Sequence, residues 1–157
     1  MLFPISNAIA FTYLDNIKDG NYVFFLVDLD AGENLELHIT HDLSGNFTLF
    51  IFNSRPLESY VNDDKTLNEN IFINPTTLNY SLVNYPYINF TAPEPKIYYI
   101  EIILISGGPD TFTLTANKDL TRYYLPIIPG FQLEFLVFSL IFAIGIVFIL
   151  YKKKMRK

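Results

Sequence analysis

The chain has two imidazoles, His38 and His41, in the segment His38-Ile39-Thr40-His41-Asp42. A close histidine pair is a common start for a metal site or an acid–base couple. Here the flanking residues alternate as in a strand, and strand residues three apart point to opposite faces. The pair is therefore expected as two solvated residues at a strand end, not as two ligands of one ion. Asp28 and Asp30 are two apart, on one face, beside a turn carrying Glu33, and Asp63-Asp64 lies on a long polar segment. Carboxylates of this kind suit calcium, the one cofactor the residues suggest. The competing reading is an acidic surface with no ion. Ser106-Gly107-Gly108 precedes Pro109-Asp110 and no helix, so it does not form a nucleophile elbow. There is no P-loop, dinucleotide fingerprint or HExxH motif. With two histidines and no cysteine, most nucleophilic mechanisms lack a partner. No catalytic or metal residue is expected, and the protein is read as not an enzyme.

Three sequons remain as modification sites: Asn46-Phe47-Thr48, Asn79-Tyr80-Ser81 and Asn89-Phe90-Thr91. N-glycosylation at Asn46, Asn79 or Asn89 would place those segments on an exported surface. Asn74-Pro75-Thr76 is excluded by its proline.

The placing element lies at the far end of the chain. Residues 135–151 carry no charge, and counting back to Phe131 adds only Glu134. Twenty-one residues at about 1.5 Å each reach roughly 30 Å, the hydrocarbon thickness. Lys152, Lys153, Lys154, Arg156 and Lys157 follow directly, and such a basic cluster marks the cytoplasmic side. Residues 131–151 are thus expected as a transmembrane helix and 152–157 as a basic cytoplasmic tail. This makes a single-pass cell-membrane protein with its N-terminal domain outside. A cytosolic tail-anchored protein is the alternative. Residues 1–130 carry a net charge of −9 and residues 131–157 of +4. The acidic part repels nucleic acid, and membrane lipid accounts for the basic part. Without cysteine, disulfides are excluded and a packed core must stabilise the domain.

Residues 1–10 lack a basic n-region, yet Ala8-Ile9-Ala10 fits a small-x-small cleavage site. A signal-peptide remnant and a short first strand are equally good readings. Beyond them the period is that of β-structure. Strands are expected over 22–30, 35–40, 47–52, 71–73, 77–85, 87–92, 97–105 and 111–116. The run 97–105 should be central, and 106–110 should be a hairpin loop. Residues 53–70 read as a long loop with a short strand near Tyr60. Seven to eight short strands with Gly, Pro and Asn turns describe an all-β antiparallel β-sandwich or jelly roll. It would occupy residues 11–117. Residues 118–130 form a linker whose Tyr123 and Tyr124 could serve as interfacial aromatics.

Gly20-Asn21-Tyr22-Val23-Phe24-Phe25 with Leu29-Asp30-Ala31-Gly32-Glu33-Asn34-Leu35-Glu36-Leu37 resembles the opening of the pre-peptidase C-terminal (PPC) domain family. The next family strand corresponds to Gly45-Asn46-Phe47-Thr48-Leu49-Phe50-Ile51-Phe52. The closing pattern resembles Tyr98-Tyr99-Ile100-Glu101-Ile102 and Asp110-Thr111-Phe112-Thr113-Leu114-Thr115. The resemblance spans residues 18–117 and implies a non-catalytic β-sandwich accompanying secreted peptidases and other surface proteins. Asn46 and Thr48 stand where the family has aspartates, which removes a carboxylate role there. Pro129-Gly130-Phe131, an apolar helix and a basic tail are similar to the PGF-CTERM archaeal surface-sorting signal. That likeness implies export, anchoring at an archaeal envelope and, in some members, exchange of the helix for lipid. The expected role is a binding or structural surface module with a glycan or protein partner. An accessory domain of a secreted peptidase system is the alternative.

Overall fold

The computed structural model describes residues 10–125. The alternating and apolar runs become β1 (Phe11–Ile17), β2 (Tyr22–Leu29), β3 (Asn34–His41), β4 (Asn46–Phe52), β5 (Thr77–Ser81), β6 (Tyr87–Thr91), β7 (Lys96–Ser106), β8 (Asp110–Ala116) and β9 (Thr121–Tyr123). A single-turn helix, α1 (Asn70–Ile73), lies between β4 and β5. The strands form two sheets, ordered β1-β8-β3-β6 and β5-β4-β7-β2-β9. Every pairing is antiparallel. Odd-numbered strands therefore run one way and even-numbered strands the other. Because the count is odd, the chain enters the sandwich at one end and leaves at the other. Loops 18–21, 42–45, 82–86 and 107–109 gather at the exit end, with the chain that follows β9.

The core between the sheets follows from period-2 patterning. Leu35, Leu37 and Ile39 of β3 and Phe112, Leu114 and Ala116 of β8 face Phe47, Leu49 and Ile51 of β4 and Ile100, Ile102 and Leu104 of β7. The outer face of the four-stranded sheet is polar, so β3 alternates cleanly between buried and exposed. Strands β4 and β7 are apolar on both faces because a second layer covers their sheet. Residues 53–76 fold back over it, where Tyr60 and Ile71 pack on Phe50, Phe52 and Ile103.

Glu101, in the middle of β7, faces this second cluster and is fully enclosed. The Tyr60 N–H donates to it over 3.4 Å, and its Oε2 has no partner. Burial disfavours the charged form and pushes the carboxyl up to about 8, against the smaller opposing effect of the Tyr60 N–H.

The sandwich expected from the sequence is present, with four differences. Residues 11–17, for which the sequence offered no strand, form β1 on the edge beside β8. Residues 71–73 wind into α1 instead of extending, since Ile71 is drawn into the second cluster and the Thr77 hydroxyl donates to the Ile71 carbonyl. Residues 106–110 are not a hairpin loop: β7 and β8 belong to different sheets, and the segment crosses between them. The expected linker begins inside the domain. Leu120 is buried, and β9 pairs with β2 over Thr121–Tyr123. The Tyr123 ring stacks on Phe24 at 5.2 Å, so it is a packing residue and not an interfacial aromatic. The possible leader (all but Ala10), Pro129-Gly130-Phe131, the apolar helix 131–151 and the basic tail lie outside the described residues. Among the described residues, no helix is long and apolar enough to cross a membrane.

Two outcomes follow. A chain ending at Leu125 should keep a cooperative urea transition. One ending at Asn117, lacking Leu120 and the Tyr123 ring, should be weaker by roughly 2–4 kcal/mol. For Glu101 the unfolded carboxyl titrates near 4.3, whereas the folded one titrates at about 8. The folded state thus holds its proton across that window while the unfolded chain releases it. Glu101 should lower stability as pH rises, on the order of 1.4 kcal/mol per unit, until the folded carboxyl ionises. Urea midpoints between pH 5 and pH 8 should show this slope in the native chain and not in Glu101→Gln.

Candidate functional site

Each histidine has a distinct place, because they sit on opposite faces of β3. His41 shares the parity of Leu35, Leu37 and Ile39 and turns inward. Its side chain is fully enclosed, which corrects the expectation of two solvated imidazoles. His41 Nδ1 lies 3.1 Å from Asp110 Oδ2, and Nε2 lies 3.0 Å from the Asn84 carbonyl. Tyr85 stacks on its ring at 4.6 Å.

Asp110, the first residue of β8, is buried at the exit end. Its carboxylate accepts the N–H groups of Leu43 (3.1 Å), Gly45 (2.8 Å) and Thr111 (2.7 Å). Burial works against the charge, but these donors and the His41 ring outweigh it and hold the carboxyl below its ordinary value. The loops leave no room for larger residues. A Cβ on Gly45 would fall 2.6 Å from Asp110 Oδ2, and one on Gly107, at φ +83°, 2.2 Å from the Ser44 carbonyl. This group is a structural hub. Among the described residues it brings no nucleophile to the histidine.

His38 points outward, onto the polar face of the four-stranded sheet. Register sets a row across that face, Thr12–Thr115–His38–Tyr87, with Glu36 opposite Asn89 beside it. The His38 and Tyr87 rings meet edge to face at 6.3 Å. Glu36, His38, Tyr87, Thr115 and Asn117 line a shallow groove of about 180 Å³. Asn117 fixes one wall: its Oδ1 accepts the Glu36 N–H at 2.8 Å and its Nδ2 donates to the Asn34 carbonyl at 3.1 Å. The groove thus offers an exposed aromatic, an imidazole, a carboxylate and a hydroxyl on a rigid sheet. Such a set can stack on and hydrogen-bond a ligand.

The sequons fall on different ground. Asn46 is exposed at the bulged start of β4. Asn79 is half-buried in edge strand β5, and its Oδ1 accepts the Tyr80 N–H. Asn89 is exposed beside the groove and accepts from Asn34 Nδ2. The carboxylates proposed for calcium are engaged elsewhere in part. Glu33 accepts from Lys118 and the Asp30 N–H, and Asp64 accepts from the Thr66 N–H and hydroxyl. Among the described residues, no three His, Cys, Asp or Glu side chains gather as ion ligands.

Sequence reasoning missed two groups. Asp110 looked like a turn residue, and its partners other than Thr111 are 65 to 69 positions away. Glu101 could have been found as the lone charge inside the apolar run 97–105.

No family model matches the sequence, and no curated protein matches it. Solved structures similar in fold include the pre-peptidase C-terminal domain of a collagenase from Bacillus anthracis. It is 14% identical with a TM-score of 0.49, and the match covers 69% of this chain and 89% of that one. Another is PliG of Aeromonas hydrophila, a periplasmic inhibitor of g-type lysozyme. It is 9% identical with a TM-score of 0.47, covering 78% of this chain and 93% of that one.

Asp110→Asn should cost about 2–4 kcal/mol at pH 7, since a charged acceptor of buried N–H groups is lost. The folded pKa of Asp110 is depressed, so its stabilisation is complete above the unfolded value near 3.9 and lost as pH falls through the folded value. Acid unfolding followed by circular dichroism should show that loss in the native chain and a flatter profile in the variant.

Proposed function

We propose that this chain is a non-catalytic, membrane-anchored surface module whose polar sheet face binds a glycan. The observation that carries the reading is the His38–Tyr87–Thr115 row with Glu36 beside it. Sugars present alternating C–H faces and hydroxyls. An exposed tyrosine suits the first, and carboxylate, imidazole and hydroxyl groups suit the second. The row sits on three hydrogen-bonded strands, so little ordering cost falls on binding. Among the described residues His38 has no hydrogen-bonded carboxylate or nucleophile, which favours binding over reaction.

Anchoring is supported by the apolar stretch 131–151 and the basic residues 152–157. With that orientation the sandwich lies outside the cell, where glycans are presented and the sequons are accessible. The PPC-like and PGF-CTERM-like patterns agree with a secreted, envelope-held module. A glycan carried on Asn89 would stand at the groove rim and compete for it.

Glycan-array screening of the full chain in detergent should return at least one ligand. Tyr87→Ala, on an exposed edge-strand position, should weaken its binding about tenfold without lowering the thermal midpoint. Equal binding by the variant, or no ligand on the array, would remove the glycan reading.

A further inference from the structure

We infer that the exit end of the sandwich rests on the lipid surface, with Leu43, Leu82, Val83, Tyr85 and Tyr124 at the headgroup boundary. The inference rests on the proposed anchor and adds which face of the domain meets the membrane.

Three observations converge. The first is topological. Nine antiparallel strands send the chain out at the end where loops 42–45 and 82–86 lie. The register of the five-stranded sheet sets Ser81 opposite Leu49 and thence Ile102, and Tyr123 opposite Phe24 and thence Glu101. Residues 82–86 and 124–125 therefore leave the sheet at the same level, in the same direction. The second is length. Residues 126–130 alone separate Leu125 from the apolar stretch that starts at Phe131. Leu125 and Phe131 are six steps apart, so a fully extended chain separates them by at most roughly 22 Å. The exit end therefore cannot stand far from the bilayer.

The third is chemistry. Leu43 is 68% exposed, Val83 61% and Tyr124 72%, on separate loops of this one end. Leu82 and Tyr85 are exposed beside Val83. Loop 82–86 lies inside residues 70–93, which carry no charge although residues 1–130 have a net charge of −9. Tyrosines flanked by aliphatic residues are the composition of a membrane-interface belt. The charges nearest this end are Lys18, Asp19, Asp42 and the buried Asp110, with Lys65 packed against Gly20. Arg122 lies over the Tyr124 ring at 5.3 Å and Arg55 donates to the Tyr124 carbonyl at 3.2 Å, a basic pair that suits a headgroup boundary. The loops are also held in place. Asp110 binds the Leu43 and Gly45 N–H groups, and His41 reaches the Asn84 carbonyl and the Tyr85 ring. The aliphatic side chains are thus presented on a fixed platform.

The chain contains no cysteine, so single-site labelling is direct. The full chain carrying Val83→Cys, Leu43→Cys or Glu94→Cys is spin-labelled and reconstituted into phosphatidylcholine vesicles. Glu94 lies between β6 and β7, at the end opposite to the exit. The expected result is preferential oxygen collision over a water-soluble nickel complex at positions 43 and 83, and the reverse at position 94. The same samples are floated on a density gradient. A chain that floats with water-exposed labels at 43 and 83 overturns the placement and leaves the anchor standing. A chain that does not float overturns both. Spin–spin broadening at 83 without oxygen preference would put a second copy on this face and also overturn the placement. Val83→Asp, an exposed substitution that leaves the core untouched, should shift the position 43 label toward water in the floating chain.

Discussion

The Asp110 carboxylate is the constraint on which the exit end depends. It is a buried charge, tolerable only because three backbone N–H groups and an imidazole surround it. Those donors come from the β3–β4 loop, the start of β8 and the end of β3. One acceptor therefore fixes where the chain changes sheets. His41 extends the network to the β5–β6 connection through the Asn84 carbonyl. Gly45 and Gly107 belong to the same arrangement, since any side chain there would collide with the carboxylate or with the Ser44 carbonyl.

The five-stranded sheet is built differently from its partner. It is apolar on both faces, and residues 53–76 act as a third layer over its outer side. This explains why a long polar stretch contributes to stability: its buried apolar members, Tyr60 and Ile71, are spaced to meet Phe50, Phe52 and Ile103, with Val61 and Leu67 partly buried beside them. Glu101 sits under that layer with one oxygen unpartnered. The Tyr123 hydroxyl is likewise buried without a partner, and burial first, then the Glu101 charge, raises its pKa. Asp110 and Glu101 therefore load opposite ends of the pH scale: one favours the fold when charged, the other when neutral.

How much of this was legible depends on how local the determining contacts are. Period-2 alternation revealed β3 and β8, because each has one polar and one buried face. The central position of β7 followed from its length and apolarity. Strand β1 escaped notice because its alternation includes polar Thr12, Asp15 and Asn16 on an edge. Strand β9 was hidden because three residues with Arg122 at their centre carry little pattern, and pairing with β2 is what extends them. The crossing of residues 106–110 between sheets was not readable, since Gly, Pro and Asp serve a hairpin and a crossover equally well. His41 was the subtlest case. Its parity with Leu35, Leu37 and Ile39 was in plain view, but only a carboxylate 69 positions away makes a buried imidazole acceptable.

The two faces given roles here are joined by one short segment. Tyr85 packs on His41 and Tyr87 on His38, so neighbouring tyrosines engage the two histidines on opposite faces of β3. Residues 82–87 then run from the exit end directly into the groove wall, without a glycine in between. The Asn84 carbonyl and the Tyr85 ring hold one end of this segment, and pairing of Tyr87 with His38 holds the other. A force that shifted loop 82–86 would have to act on both anchors, because packed and hydrogen-bonded elements of this size move as units. The loop at the exit end and the wall of the groove are therefore parts of one continuous segment, fixed at both ends by contacts to β3.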